Sequence, residues 1–306
     1  MQSVFSLVLQ KLFPLYFLIG LGYWAGKRLE VKRESVASLL IYILAPGVVF
    51  QSLISTPLDL HRLSLPLFFF VVCSLMCGLT LVIGGRIWGN ASVKNIAAFS
   101  SASGNTGYFG LPVAAFLFGS SALGVVVLCI FGFILFESTV GFFVTARGTY
   151  SPRESLRRVF RVPTIYAFIL AVVLNAAGIR WSAVSGDFGQ LFRGAYSFLG
   201  MMMIGLGVAN LREWKVDWNY IKVTFGMKFV VWPLLIFTFL WFDRTRLHIY
   251  DPLSHQVMAL MAIVPLPANS VALATELRVE PEKAGVAVLL STVVALIVIP
   301  ILTQFR

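Results

Sequence analysis

The chain has 306 residues, of which 58% are hydrophobic and 12% charged, with a mean hydropathy of +0.88. A soluble domain carries about 25% charged residues, so that class is excluded, and the short alternating segments of an outer-membrane barrel are absent. The formal net charge of +11 does not point to nucleic acid: no basic run is interleaved with aromatics, and Lys and Arg collect in the cytoplasmic loops of membrane proteins.

Apolar windows bounded by charged or turn-forming loops predict an all-α membrane protein of ten spans. Span 1 (4–26) is closed by the basic stretch GKRLEVKRES at 26–35. Span 2 (35–56) has Pro46-Gly47 at its centre. Span 3 (64–88) carries Cys73 and Cys77 on one face, with no His or acidic residue at metal-ligand spacing. They read as buried packing, and neither metal nor cofactor is expected. Span 4 (94–118) contains SASGNTGYFGLPVA at 101–114, which sets Gly104, Asn105, Thr106, Gly107, Gly110 and Pro112 near mid-depth. Span 5 (121–146) holds Glu137.

A basic linker follows, ARGTYSPRESLRRVFR at 146–161. Span 6 is 162–179, and span 7 (187–210) has glycines at 200, 205 and 207. Span 8 (217–241) holds Lys228, span 9 (253–276) has Pro265, Pro267 and Asn269 at its midpoint, and span 10 is 282–304. Five spans stand on each side of the linker, in 1–145 and 162–306. An odd number per half sends the second half into the bilayer from the opposite face, so the halves are expected to be inverted repeats. Sixteen of the 24 Lys and Arg fall in one set of alternate loops and six in the other. That asymmetry places both termini outside, in a plasma (bacterial inner) membrane.

Helix breakers at matched positions point to a binding site at the midplane. Spans 4 and 9 each carry an Asn beside Gly or Pro, and spans 2 and 7 add Pro46-Gly47 and three glycines, so four interrupted helices are expected. Broken backbone is tolerated at depth only where protein or a water-filled cavity satisfies it. The freed groups and the positive ends of half-helices favour an anion by about 0.3–1 kcal/mol each. Asn105, Thr106 and Asn269 are the expected substrate contacts, and Pro46, Gly104, Gly107, Pro265 and Pro267 the residues that shape the backbone. The glycines taken alone read as close helix packing.

Glu137 and Lys228 are charges at depth, which are functional by default. They read as a proton-coupling group or as an intramembrane ion pair, and the sequence leaves open whether they meet. His255, near the outer end of span 9, reads as interfacial.

The segment Gly104-Asn105-Thr106-Gly107-Tyr108-Phe109-Gly110-Leu111-Pro112 resembles the fourth-span motif of the auxin efflux carrier family, and Pro265-Leu266-Pro267-Ala268-Asn269 resembles its partner more loosely. The plant form Asn-Pro-Asn-Thr-Tyr is absent, as is the long cytoplasmic loop of many plant members. The resemblance implies crossing broken spans 4 and 9, a fold similar to bile-acid symporters, a scaffold with a moving transport domain, and a homodimer. It also implies a secondary carrier of small organic anions, auxin-like or malate- and malonate-like. The alternatives are a sodium- or proton-coupled symporter of a larger amphipathic acid on the related fold, or a non-transporting sensor. An intramembrane hydrolase would need a buried Ser–His pair or paired aspartates, and the spans offer neither.

Overall fold

The structure is a computed structural model and describes residues 4–54, 60–89, 91–119, 122–179, 184–209 and 216–304. The side chains of Arg62, Arg180, Arg212, Lys215 and Arg306, which enter the charge asymmetry, and those of Lys11 and Pro112 lie outside the described residues. Every regular element among the described residues is a helix. In lipid a helix satisfies its backbone groups within one segment.

Helix α1 (Val4–Arg28) fills the first span. Helix α2 (Arg33–Leu39), a π-helical turn at Leu40–Leu44 and α3 (Ala45–Ile54) form one continuous run. Next come α4 (Leu60–Trp88) and α5 (Val93–Ala102), after which the helix stops. It resumes in a π turn at Thr106–Gly110 and α6 (Leu111–Phe118). Helix α7 (Leu123–Phe136) passes through a π turn at Glu137–Gly141 into α8 (Phe142–Ala146).

The linker folds into α9 (Pro152–Val159), whose start is set by Pro152 at the first position and by Ser151, which accepts from the Glu154 N–H. Helix α10 (Pro163–Ala176) follows at 45° to it, and then α11 (Val184–Ala209). Helix α12 (Trp218–Gly226), a π turn at Met227–Val231, α13 (Trp232–Phe242) and a π turn at Asp243–Leu247 are again continuous. Helix α14 (Pro252–Ile263) stops at a second break before α15 (Asn269–Leu277), and α16 (Pro281–Gln304) ends the fold.

Among the described residues five runs are long and apolar enough to cross a membrane, 33–54, 64–88, 123–146, 187–209 and 218–247. The bent pair α9–α10 makes a sixth if counted as one span. Val71, Leu75, Leu79 and Val82 form an exposed apolar stripe along α4, and Leu234, Phe237 and Trp241 lie exposed on α13. Such outward surface suits lipid rather than water.

Two of the four expected interruptions are not there. The run 33–54 stays helical through Pro46, which is half-buried on α3 and shapes no break. The π turn ends immediately before it, with the Ala45 N–H reaching the Leu40 carbonyl five residues back. This wider turn makes room where the proline ring would press on the preceding turn. Helix α11 is likewise unbroken, and its glycines are packing surfaces. A Cβ on Gly200 would run into the Tyr108 ring, one on Gly205 into the α1 backbone at Ile19–Tyr23, and one on Gly207 would come within 2.6 Å of Val271.

The helices pack in reciprocal pairs: α1 lies along α11 and α3 along α10, while α2 touches α15 and the 106–110 turn touches α11. At the end near α9, Thr149 donates to the Leu277 carbonyl at 3.1 Å, and Ser38 and Tyr42 donate to Glu276 at 3.1 and 3.0 Å. There also Lys283 pairs with Asp217 at 3.2 Å. At the opposite end Asp243 is fully buried and accepts from the Ile249 and Tyr250 N–H groups and from His255 at 2.7 Å. Arg244 Nε donates to His255 Nδ1, so His255 is a buried clamp of this turn rather than an interfacial side chain.

Candidate functional site

The two breaks meet. The Ser103 N–H closes the last turn of α5 on the Phe99 carbonyl at 3.2 Å, the helix stops over 103–105, and the Asn105 N–H donates to the Pro265 carbonyl at 2.9 Å. The Asn105 carbonyl then accepts from Phe109 and Gly110 at 3.2 and 2.9 Å, which starts the π turn of the second half-helix. Gly104 is required by proximity: a Cβ there would stand 2.7 Å from Val264 Cγ2 and 2.8 Å from Lys228 Nζ. Gly107 has nothing within 4 Å of that position and faces open space.

On the other side of the crossing, Pro265 and Pro267 are buried in the segment 264–268. Pro267 accepts from the Ser270 N–H at 2.9 Å and so leads into α15. Asn269 is the first residue of that half-helix. The sequence pattern therefore places Asn105, Thr106, Asn269, Gly104, Gly107, Pro265 and Pro267 together, and leaves Pro46 apart on α3.

Asn105 and Asn269 do opposite things with their amides. Asn105 is 2% exposed, yet neither its Oδ1 nor its Nδ2 has a hydrogen-bond partner. An amide buried and unpaired costs about 1–3 kcal/mol, so its bonding capacity stands open at the crossing. Asn269 is saturated. Its Nδ2 donates to Glu137 Oε2 at 2.6 Å and to the Tyr196 hydroxyl at 3.0 Å, and its Oδ1 accepts from Tyr108 at 3.0 Å. Ser103, in the first break, donates to the other oxygen of Glu137 at 2.5 Å. Ser103, Glu137, Asn269, Tyr108 and Tyr196 thus form one connected network across the crossing, with the two tyrosine rings 4.7 Å apart.

Glu137 and Lys228 do not form an ion pair. Glu137 is held by Ser103 and Asn269, whereas Lys228 is fully buried with its Nζ unbonded and 4.6 Å from the centre of the Trp232 ring. Trp232 is fixed in turn by its Nε1–H on the Ser101 carbonyl at 2.8 Å. The two charges flank the stretch 103–105: the carboxylate takes the Ser103 hydroxyl, and the amine stands behind Gly104.

Two adjoining cavities use this network as a common wall. The smaller is lined by residues 104–108, Ile130, Phe133, Pro267 and Ala268. The larger is lined by Leu40, Ile41, Val162 and Thr164 among others, on the side of the basic linker. Ile134, Glu137, Tyr196 and Asn269 line both. The smaller space has room for a water-sized group only, and the Asn105 and Asn269 amides both border it.

Sequence reasoning missed Ser103, Tyr108 and Tyr196 as members of the site. Tyr108 lies inside the breaker segment and its proximity to Asn105 was a usable signal. Tyr196 stands alone on α11, and no spacing rule singles it out.

Comparison with known proteins agrees with the class of this architecture. A family model described as "Membrane transport protein" matches residues 7–303. An uncharacterized transporter of Methanocaldococcus jannaschii is 26% identical over 233 residues, 72% of this chain and 75% of the relative. An uncharacterized transporter of Methanothermobacter thermautotrophicus is 24% identical over 300 residues, 93% of each chain. With helix breaks that cross, an unpaired amide at the crossing and a family match over nearly its whole length, the chain belongs to the membrane transport protein family, the family of the auxin efflux carriers.

Proposed function

We propose that the protein is a secondary carrier of small organic anions that works by alternating access about the crossing of the segments 103–105 and 264–268. The observation that carries this reading is Asn105: an enclosed amide whose Oδ1 and Nδ2 are both without a hydrogen-bond partner, on the wall of a small pocket at the crossing that would have to widen to admit an acid. A carboxylate accepts from the Nδ2–H, and a hydroxyl or protonated oxygen of the same solute donates to Oδ1. Asn269 and the tyrosines act as the wall on the linker side. Thr106, Gly104, Gly107, Pro265 and Pro267 keep the broken backbone open beside the solute.

The ten-span, inverted-repeat arrangement is supported by the helix order, with five segments before α9 and five after it, and by the reciprocal packing. Contacts of the first span with the seventh are mirrored by those of the sixth with the second. Lys27, Arg28, Arg33, Arg147 and Arg158 belong to the same end as α9, which fits a cytoplasmic face there and both termini outside. In this arrangement the larger cavity is the inner vestibule.

The test is binding and uptake with purified protein in liposomes, using radiolabelled malate, malonate and indole-acetate, beside Asn105→Ala. Saturable uptake of one of these acids that is lost in Asn105→Ala is the expected result. Uptake that survives the substitution would move the site away from the crossing.

A further inference from the structure

We infer that the carrier moves its anion together with one proton held on Glu137, and that Ser103 is the positioning residue that lets the carboxyl hold that proton without opening the wall. This rests on the anion site proposed above and concerns its coupling.

Charge at the crossing carries the inference. Among the residues lining the smaller cavity, Glu137 is the sole charged one. Lys228 stands behind Gly104, fully buried and without a bonding partner. Empty, the cavity is bordered by one carboxylate, which receives the Ser103 hydroxyl and the Asn269 amide as donors. A monoanion entering the cavity sets a second negative charge beside the first in an enclosed site of low polarity, where like charges strongly disfavour each other. Protonation of Glu137 returns the site to the single negative charge it held when empty. The remaining titratable groups on elements around Glu137 are Tyr108, Tyr196 and Cys73, all neutral when protonated. Tyr166 of α10 faces away, onto the Phe160 carbonyl.

The hydrogen bonds accept the extra proton. Ionised Glu137 receives the Ser103 hydroxyl on Oε1 and the Asn269 amide on Oε2. Asn269 cannot reverse its role without losing Tyr108 as a donor to Oδ1. A serine hydroxyl can reverse, because its oxygen both donates and accepts. The proton from water therefore forms an O–H bond at Oε1, this group donates to Ser103 Oγ, and the bond from Asn269 to Oε2 persists. Release of the anion on the other side returns the proton to water and the Ser103 hydroxyl to its donor role.

The experiment uses purified full-length protein in liposomes, with an internal pH dye, a potential-sensitive current readout, and indole-acetate and malonate as probes. Wild type is expected to take up one proton per acid: no current with indole-acetate, and one negative charge per molecule with the malonate dianion. Glu137→Gln is expected to move indole-acetate with a current and no proton. In Ser103→Ala the pH at which proton uptake is half-lost is expected to move upward, because the ionised carboxyl loses a donor. That shift is one that a purely structural serine would not produce. Acid uptake by wild type without protons would overturn the coupling and leave the anion site standing. An unmoved midpoint in Ser103→Ala would overturn the role given to Ser103. Neither probe being bound or moved by wild type would overturn the anion reading, and the coupling with it.

Discussion

Replacing Gly200 by alanine tests whether the polar wall is held from outside by α11. A Cβ at this position would run into the Tyr108 ring, which is 3% exposed, packed on Tyr196 and bonded through its hydroxyl to Asn269. The ring has little room to yield, and overpacking of a filled site costs about 1–3 kcal/mol. Displacing it from Asn269 leaves a buried acceptor short of its donor, a further ~1–3 kcal/mol. The alanine returns up to about 1 kcal/mol through helix propensity. The net loss is about 1–5 kcal/mol. Gly194, on the same helix, has nothing within 4 Å of its Cβ direction, so Gly194→Ala keeps only the propensity gain of about 0.5–1 kcal/mol. Thermal unfolding followed by fluorescence should therefore move in opposite directions for the two variants, by at least ~2 °C per kcal/mol. In a Tyr108→Ala background the penalty of Gly200→Ala should largely vanish, since contacting residues couple by about 0.5–3 kcal/mol. Equal effects at Gly194 and Gly200, or an undiminished penalty without the Tyr108 ring, would refute the contact.

Asn105→Ala should raise the unfolding temperature of the substrate-free protein while abolishing binding, because it removes an unsatisfied buried amide worth about 1–3 kcal/mol; a thermal scan with and without malonate separates the two effects. Lys228→Met should also stabilise, since a fully buried amine without a bonding partner is replaced by an apolar chain of similar length, and a lowered midpoint would show that the charge is balanced in a way not seen here. Asp243→Ala should be severe, about 3–5 kcal/mol, because it strands two backbone N–H groups and His255 at a buried turn, and loss of monodisperse protein on size-exclusion chromatography is the readout. At the linker end, burial would raise the Asp217 carboxyl, but the Tyr220 N–H and the Lys283 ammonium outweigh it and hold it below the usual carboxylate range. Its contribution is thus present above about pH 4 and lost as pH falls through the lowered folded value; it is under about 1 kcal/mol for so exposed a pair, and absent in Asp217→Asn.

The crossing was legible because its residues are costly anywhere else: prolines at 265 and 267 and a glycine wedged against Val264 and Lys228 leave few other readings in a lipid-spanning run. Pro46 misled for a local reason. A proline inside a helix can be absorbed by one wide turn, and the apolar sequence Leu40–Leu44 gives no sign that it forms one. The glycines of α11 announced close contact but not with whom, since the partners lie on α1, α15 and the 106–110 turn. Glu137 and Lys228 stood out as deep charges. Their separation was not legible, because it depends on how the π turns at Glu137–Gly141 and Met227–Val231 face the 103–105 segment. Tyr196 was hidden for the same reason, being an ordinary aromatic until α11 brings it against Asn269.

The bond from Asn105 to Pro265 has a mechanical meaning. It is the one backbone-to-backbone bond outside helices that joins distant segments among the described residues. It cannot be doubled as in a strand pair, because Pro265 has no N–H to return and the Asn105 carbonyl is already committed to Phe109 and Gly110. The two crossed backbones are thus joined at a single point, and their mutual angle is set by side chains instead, through Tyr108 on Asn269 and through Ser103 and Asn269 on Glu137. A change of that angle would break no ladder of backbone bonds, so it would bare no row of unpaired groups to the membrane interior.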